Sequence, residues 1–261
     1  MTPINLFWMV SPNFGDALAP WLARRLSGRA PVYMDPRIDA DKYVIGGSVL
    51  NHATPKCHAW GAGLASIRDG VDAGAQIYAV RGPISRAVAR ACGAACPPVY
   101  GDPALVLPRV YQPRPQARRY AVGVVPHFLQ AHLVRSARAG TDHPDVRVLD
   151  IFAPVEEFID ALCSCDLIVS SALHGLVTAN AYGIPAAWAS FGESAIGGDG
   201  TKFRDYGLSV GVDAPDCVRL TSPDMLSDLA ALQVLPRVAP RCDLDALVTG
   251  LLASCPFEVT P

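Results

Sequence analysis

The chain has 261 residues, of which 51% are hydrophobic and 18% are charged, and this composition excludes an intrinsically disordered protein. The formal net charge of −2 conceals an uneven distribution, since residues 1–120 carry a net +7 and residues 121–261 a net −9. Such a division is typical of proteins whose surface meets an anionic partner. The eight cysteines form no Cys-X-X-Cys pair and lie mostly among apolar residues, which predicts free thiols in a reducing cytoplasm.

Short apolar runs alternate with helical patterns in the first part of the chain. Residues 4–10 predict a buried strand rather than a signal peptide, because no basic region precedes the run. A helix is predicted to follow as far as about Leu26, since leucines recur at helical spacing. The other elements predicted here are strands at 31–34, 43–45, 58–63 and 77–80 and a helix at 85–92.

Residues 108–119 contain three prolines and four arginines, which predicts a linker between an N-terminal domain (1–112) and a C-terminal domain (113–261). The uncharged stretch 167–192 is long enough to cross a bilayer, but its strand–turn–helix–strand pattern predicts a buried βαβ unit instead. The elements predicted after the linker are strands at 120–125, 146–149, 167–170 and 186–189 and helices at 129–138, 155–162, 173–182, 223–232 and 244–253.

Strands that alternate with helices predict an α/β protein whose parallel sheets are covered by helices on both faces. Two such halves joined by a linker predict twin Rossmann-like domains facing a cleft. In these folds ligands bind beyond the carboxyl ends of the strands, where the strand order reverses. The candidate functional residues are therefore those that directly follow predicted strands.

The sequence from Leu167 to Gly175 gives the strongest local signal. A buried strand ends at Ser170 and Ser171 and a helix begins at once, so that Ser171 is predicted to cap the helix. The free N–H groups of a first helical turn attract phosphate or carboxylate. His174 in the same turn is a candidate general acid/base, because a bound anion favours its charged form. The alternative is a histidine with a structural hydrogen bond between domains.

Two further strands end in polar residues. Arg81 follows the strand at 77–80, where its planar guanidinium is predicted to emerge at the sheet edge and to match a phosphate or carboxylate. The alternative is a surface arginine in an arginine-rich protein. His127 follows the strand at 120–125 and is predicted either to bind an anion or to cap the next helix.

Glycine-rich loops supply the remaining candidates. Residues 197–200 (Gly-Gly-Asp-Gly) predict a mobile loop that closes over a ligand with Lys202 as its cationic tip, or else a flexible surface turn. Asn13, Asp16 and Gly47 lie in loops after the first and third strands, where glycine lets a ligand approach the backbone. Asp16 has the alternative role of a helix N-cap. No zinc-ligand spacing occurs among the histidines and cysteines, so no metal is predicted.

Taken in order, these motifs resemble the polysaccharide pyruvyl transferase family. The matching stretches are 13–16 (Asn-Phe-Gly-Asp), 45–48 (Ile-Gly-Gly-Ser), 81–85 (Arg-Gly-Pro-Ile-Ser), 101–104 (Gly-Asp-Pro-Ala) and 170–175 (Ser-Ser-Ala-Leu-His-Gly). The stretch 202–206 (Lys-Phe-Arg-Asp-Tyr) is most similar to exopolysaccharide members of the xanthan and succinoglycan type. Ala172 is a departure, because many relatives have arginine there. The resemblance then implies that Arg81, His127 or Lys202 supplies the missing cation, or that the donor is held differently.

The resemblance implies a GT-B-like fold and a transferase that moves the pyruvyl group of phosphoenolpyruvate onto a sugar. The product is a cyclic pyruvate ketal, phosphate is released, and no metal or redox cofactor takes part. The implied roles are acid/base catalysis by His174 with His127, donor binding by Arg81, Ser171, Lys202 and Gly175, and acceptor binding by Asn13, Asp16 and Gly47.

The implied acceptor is a lipid-linked oligosaccharide with a terminal mannose or another hexose, bound by the basic N-terminal domain. The acidic C-terminal domain then takes the donor. A positive half also predicts peripheral association with the anionic cytoplasmic face of the inner membrane, lost at high salt. Two alternatives are a GT-B glycosyltransferase using a nucleotide sugar, and a nucleic-acid-binding module. The second is disfavoured because the arginines are scattered and no aromatic stacking platform accompanies them.

Overall fold

The chain divides into two compact units in the computed structural model. Unit 1 comprises Met1–Val110, Gly198–Ala214 and Pro240–Pro261, and unit 2 comprises Tyr111–Gly197 and Pro215–Ala239. The residues that the structure describes are 2–114, 119–138, 143–192, 198–213, 215–221, 223–226 and 228–260.

Ten strands and nine α-helices lie within the described residues. The strands are β1 (Ile4–Phe7), β2 (Pro31–Tyr33), β3 (Lys42–Ile45), β4 (Cys57–Ala62), β5 (Gln76–Val80), β6 (Val122–Val125), β7 (Val146–Val148), β8 (Ile168–Ser170), β9 (Ala186–Phe191) and β10 (Val218–Leu220). The helices are α1 (Phe14–Ser27), α2 (Pro83–Ala91), α3 (Leu107–Val110), α4 (Ala131–Arg138), α5 (Val155–Cys163), α6 (Leu173–Ala181), α7 (Thr201–Ser209), α8 (Leu229–Gln233) and α9 (Leu244–Ala253).

Each unit contains one five-stranded parallel sheet. The strand order is β2-β1-β3-β4-β5 in unit 1 and β7-β6-β8-β9-β10 in unit 2. Both sheets therefore have the same relative order, and in each the direction of strand addition reverses beside the first strand of that unit. The reversals lie between β1 and β3 and between β6 and β8, and the crevice beyond such a reversal is where open α/β sheets bind ligands.

Helix α1 shows how the sequence specifies these elements. Phe14, Leu18, Leu22 and Leu26 recur every four residues, and all four are buried against the sheet. The helix ends at Gly28, which has φ +64° and donates its N–H to Arg24 O at 2.9 Å, so that a carbonyl of the last turn is satisfied.

The predicted α/β class with parallel sheets is confirmed. The uncharged stretch 167–192 folds as the predicted βαβ unit, because β8, α6 and β9 occupy it. Within the described residues, no helix combines the length and apolarity that a membrane crossing requires. Strand β10 was not predicted, and in place of one helix at 223–232 the described residues show a 3₁₀ turn at Pro223–Leu226 and α8 at Leu229–Gln233. The facing arrangement expected of a GT-B-like fold stays a prediction.

The chain enters unit 2 at Tyr111, close to the predicted boundary at residue 112, but two later segments lie with unit 1 instead of the C-terminal domain. Buried polar contacts hold both segments. Asp205 of α7 is buried against α2, and the Trp60 indole N–H of β4 donates to Leu251 O of α9 at 2.9 Å. The amphipathic pattern of a helix does not indicate which sheet it covers, so the sequence could not reveal this return of the chain.

The return of these segments changes the charge of each compact body. Unit 1 holds fourteen Lys and Arg against thirteen Asp and Glu, a net +1, and unit 2 holds eight against eleven, a net −3. The division into +7 and −9 belongs to the two halves of the sequence, because acidic residues near the C-terminus fold into unit 1.

Candidate functional site

The loop after β1 is organised by Asn13, which is the N-cap of α1. Its Oδ1 accepts the Asp16 backbone N–H at 3.2 Å, while its Nδ2 donates to Asp16 Oδ2 at 2.6 Å and to Ser11 Oγ at 2.7 Å. The suggestion that Asp16 caps the helix is therefore wrong. Asp16 lies at the third helical position, where the helix dipole stabilises a carboxylate. Asn13 holds that carboxylate in place.

The loop after β3 contains two consecutive glycines in the left-handed region. Gly46 has φ +58° and Gly47 has φ +72°. Any residue other than glycine would be strained in this conformation. The turn places Gly47 O where it accepts the Gly63 N–H at 2.8 Å, and it places Ser48 Oγ within reach of Arg81 Nη1 at 2.9 Å. The loops after β1 and β3 flank the strand reversal of unit 1.

The sequence predicts that the guanidinium of Arg81 emerges at the sheet edge, but the structure encloses it. The side chain is fully buried. Its Nη1 donates to Ser48 Oγ at 2.9 Å, its Nη2 donates to Leu64 O, and its Nε lies 3.3 Å from Asp205 Oδ2. Burial lowers the pKa of Arg81, and the carboxylates of Asp205 and Asp102 oppose that effect. Direct donor binding by Arg81 stays a prediction, which this enclosure does not favour.

Asp205 is the residue that the sequence analysis missed. It is fully buried, and its Oδ1 accepts the backbone N–H groups of Ile84 at 2.9 Å and Ser85 at 3.1 Å, while its Oδ2 accepts the Ser85 hydroxyl at 2.6 Å. The first turn of α2 is thus occupied by a carboxylate of the same unit. A possible signal was the composition of Lys202–Tyr206, where one acidic residue stands inside a helix that buries most of its side chains.

Lys202 lies in the second position of α7 with its side chain partly buried. Its Nζ is 5.4 Å from the centre of the Phe203 ring. Burial and the nearby Arg81 lower the pKa of Lys202 to about 8, whereas Asp16 has the opposite effect. Lys202 therefore lies close to both Arg81 and Asp16, which brings three of the predicted site residues of unit 1 together.

The described part of the predicted mobile loop is anchored. Asp199 Oδ2 accepts the Ser66 hydroxyl at 2.9 Å and the Ile67 N–H at 3.1 Å, and its Oδ1 accepts the Thr201 N–H at 3.0 Å. These hydrogen bonds hold the pKa of Asp199 well below its usual range. Gly197 lies outside the described residues. Closure of the loop over a ligand stays a prediction.

In unit 2, Ser171 joins the two loops that flank the strand reversal. Its hydroxyl oxygen accepts the His127 backbone N–H at 2.7 Å, and its own N–H donates to Val125 O at 3.0 Å. The prediction that Ser171 caps α6 is wrong, because the N-cap is Ala172. Ser171 instead fixes the start of the His127 loop beside the end of β8.

His127 has the capping role, which is one of the two alternatives predicted from the sequence. It is the N-cap of the short 3₁₀ turn at Phe128–Gln130, and its Nδ1 accepts the Leu129 N–H at 3.4 Å. Its ring also contacts that of Phe128, with centroids 4.5 Å apart and the ring planes tilted by 33°. While Nδ1 accepts a hydrogen bond, the neutral ring carries its proton on Nε2.

His174 lies in the first turn of α6 and is partly exposed. The next residue must be glycine, because a Cβ at Gly175 would lie 2.3 Å from Ser170 Oγ and 2.9 Å from Val125 Cγ1. Ser170 Oγ in turn accepts the Ala172 N–H at 3.1 Å and donates to Ala172 O at 2.8 Å. The turn that carries His174 is therefore closely packed against the ends of β6 and β8.

The structure brings the predicted residues together in two separate groups. The group in unit 1 contains Asn13, Asp16, Gly47, Arg81 and Lys202, and the group in unit 2 contains His127, Ser171, His174 and Gly175. Their roles in binding or catalysis stay predictions. Among the residues that the structure describes, no group of three or more His, Cys, Asp or Glu side chains has the arrangement of a metal site.

Two parallel sheets of the same strand order, with polar residues at both strand reversals, define an α/β protein of the ligand-binding Rossmann-like class. The family model for polysaccharide pyruvyl transferases matches residues 11–190, which is more than half of the chain. The chain belongs to the polysaccharide pyruvyl transferase family.

A curated relative is the uncharacterized protein L143 of Acanthamoeba polyphaga mimivirus. It is 28% identical to this chain over 157 residues, which cover 56% of this chain and 50% of the relative. The match therefore spans about half the length of that relative.

Proposed function

We propose that the protein transfers the pyruvyl group of phosphoenolpyruvate to a sugar of a polysaccharide repeat unit and forms a cyclic ketal. Family membership supports the pyruvyl group and the polysaccharide. The observation that carries the proposal is the position of His174, in the first turn of α6 beside the strand reversal of unit 2. The positive end of the helix dipole at such a turn suits the anionic donor, and the adjacent imidazole suits proton transfer.

The reaction requires two hydroxyl groups on the acceptor and consumes no water. A proton is added to C3 of phosphoenolpyruvate, which leaves a cationic centre at C2. One sugar hydroxyl forms a bond to C2 and loses its proton, and the C2–O bond to phosphate breaks with its electron pair. The second hydroxyl then adds to C2 and closes the ring. Of the two hydroxyl protons, one is balanced by the proton on C3 and the other leaves with phosphate.

His174 is our candidate for the group that protonates C3 and then recovers a proton from the attacking hydroxyl. His127 is the candidate partner, because Ser171 fixes the start of its loop beside the end of β8. Histidine is suited to both directions of transfer, since its ordinary pKa lies near neutrality.

Lys202 is the candidate cation for the donor. Asp205 pairs with Arg81, whereas Lys202 forms no ion pair within the described residues. Asn13, Asp16 and Gly47 are the candidate acceptor residues, since hydroxyl groups are recognised by amide, carboxylate and backbone groups of this kind. A lipid-linked acceptor and a membrane-surface location are further proposals. The charges of +1 and −3 on the two units give the membrane surface little support.

The test is incubation of the protein with phosphoenolpyruvate and a synthetic mannoside, followed by proton and phosphorus NMR. We expect a new ketal methyl signal together with one equivalent of inorganic phosphate. His174→Ala should abolish or strongly reduce both signals, and His132→Ala, at an exposed position on α4, should retain them. Product that depends on a nucleotide sugar would instead identify a glycosyltransferase. Normal turnover by His174→Ala would contradict the assignment of the acid/base.

A further inference from the structure

Helix α7 is attached to the turn between β5 and α2 by one buried carboxylate. Asp205 accepts hydrogen bonds from Ile84 and Ser85 and faces Arg81 Nε at 3.3 Å. The approach is close, because a Cβ at Gly82 would lie 1.9 Å from Asp205 O. Asp205 therefore determines where the first two turns of α7 lie relative to the end of β5.

Lys202 precedes Asp205 by three residues, so both lie on the same side of the helix. The two cations of this region are in different states. Arg81 is fully buried and paired with Asp205, whereas Lys202 forms, within the described part of the chain, no ion pair and no side-chain hydrogen bond. Lys202 is thus a cation that an incoming anion can meet.

The charged groups that face Lys202 come from two other elements. Arg81 at the end of β5 lowers the pKa of Lys202, and Asp16 of α1 raises it. Asp199, just before α7, accepts hydrogen bonds from Ser66 and Ile67. Arg204 of α7 donates through Nη1 to Asp199 O at 3.1 Å. Burial is the largest influence on the pKa of Lys202, and the charge of Arg81 is the next largest.

We propose that Asp205 is a positioning residue, which fixes Lys202 and neutralises Arg81 so that the Lys202 ammonium stays charged and binds a small anionic ligand carrying phosphate or carboxylate. The identification of that ligand as the donor rests on the proposed function. The charge relation among Asp205, Arg81 and Lys202 does not depend on it.

The consequence is a measurable change at Lys202 when Asp205 loses its charge. Asp205→Asn keeps the size of the side chain and an oxygen that accepts from α2, but leaves Arg81 unneutralised. The pKa of Lys202 then falls below its value of about 8. A fall of the Lys202 pKa by about one raises the neutral fraction of Lys202 at pH 7 roughly fivefold, and the neutral amine is the form that reacts with acylating reagents.

Competitive labelling with trace acetic anhydride between pH 6 and 11 measures this directly. The chain has three lysines, which are Lys42, Lys56 and Lys202, and mass spectrometry of peptides separates them. Exposed Lys56 is the internal control, and its labelling should be the same in every variant. Lys202 should titrate near 8 in the natural protein, lower in Asp205→Asn, and higher when millimolar inorganic phosphate is present.

Two further variants separate charge from general disturbance. Arg81→Gln should raise the pKa of Lys202, and the double variant Arg81→Gln/Asp205→Asn should return it toward the natural value, because both members of the pair are then neutral. Circular dichroism establishes that each variant is folded. If Asp205→Asn does not fold, the Arg81→Gln variant and the phosphate effect on the natural protein decide the question.

The proposal is overturned if Lys202 titrates like Lys56, if phosphate leaves its titration unchanged, or if folded Asp205→Asn and Arg81→Gln shift it in the same direction. These outcomes are distinct from failure of the proposed reaction. Absence of a ketal product with the expected Lys202 titration would overturn the donor and leave the anion-binding lysine intact. A ketal product together with an unshifted titration of Lys202 would support the proposed reaction and overturn the anion-binding lysine.

Discussion

The buried pair of Arg81 and Asp205 provides the most stringent test of how unit 1 is held together. Both side chains are fully buried, and Asp205 accepts three hydrogen bonds from the start of α2 in addition to facing Arg81. Asp205→Ala removes the carboxylate and leaves a buried guanidinium without a counter-charge. We expect this change to lower the free energy of unfolding of unit 1 by about 3–5 kcal/mol.

Arg81→Met is expected to cost less, about 1–3 kcal/mol, because the carboxylate of Asp205 keeps its three donors from Ile84 and Ser85. The double variant Arg81→Met/Asp205→Ala contains no unpaired charge and loses mainly the cap of α2, worth about 1 kcal/mol. The two changes should therefore be less costly together than the sum of the single costs, with a coupling of about 3–7 kcal/mol.

Urea denaturation followed by tryptophan fluorescence measures these values. A Trp188→Phe background removes the tryptophan of unit 2, so that the signal comes from unit 1, where Trp60 is fully buried in β4. The exposed pair of Arg37 and Asp35 is a matched control and should show no measurable coupling in the same cycle. Additive costs for Arg81 and Asp205 would refute the view that they form one buried unit.

Two further predictions concern the turn that carries His174. Gly175→Ala should destabilise unit 2 by about 1–3 kcal/mol, because the new methyl group meets Ser170 Oγ at 2.3 Å, whereas Gly250→Ala in α9, where a Cβ meets nothing within 4 Å, should be neutral or stabilising by up to about 1 kcal/mol. Thermal denaturation measures both, and equal melting temperatures would contradict the packing described here. Ser171→Ala removes the acceptor of the His127 N–H, so it should cost about 1–3 kcal/mol and reduce ketal formation, while unchanged kcat with unchanged stability would show that the His127 loop does not need this hydrogen bond.

Much of the fold could be predicted because it follows from local patterns. The buried strands and the leucine spacing of α1 identify themselves, and the alternation of strands and helices requires parallel sheets. The assembly of unit 1 from three separate segments of the chain could not be predicted. It depends on contacts between residues more than a hundred positions apart, such as Trp60 with Leu251 and Asp205 with Ser85. The charge asymmetry of the sequence was misleading for the same reason.

The candidate site was predictable in position but not in detail. The motifs lie beyond strand ends at the two reversals, as expected, because the carboxyl edge of a parallel sheet collects the loops that follow its strands. The direction of individual side chains was not predictable. Arg81 follows a strand as expected but points into the interior, since Asp205 from a distant segment compensates its charge there. Ser171 likewise bonds the His127 loop instead of the helix that it precedes.

The discontinuity of unit 1 has a consequence for biosynthesis. The indole N–H of Trp60 finds its acceptor at Leu251 only after a further 191 residues have been synthesised. The N-terminal sheet is therefore expected to remain incompletely covered during translation, while nearly all of unit 2 is available to fold first. A premature stop shortly before residue 240 would remove α9 and with it the acceptor of the Trp60 indole in β4.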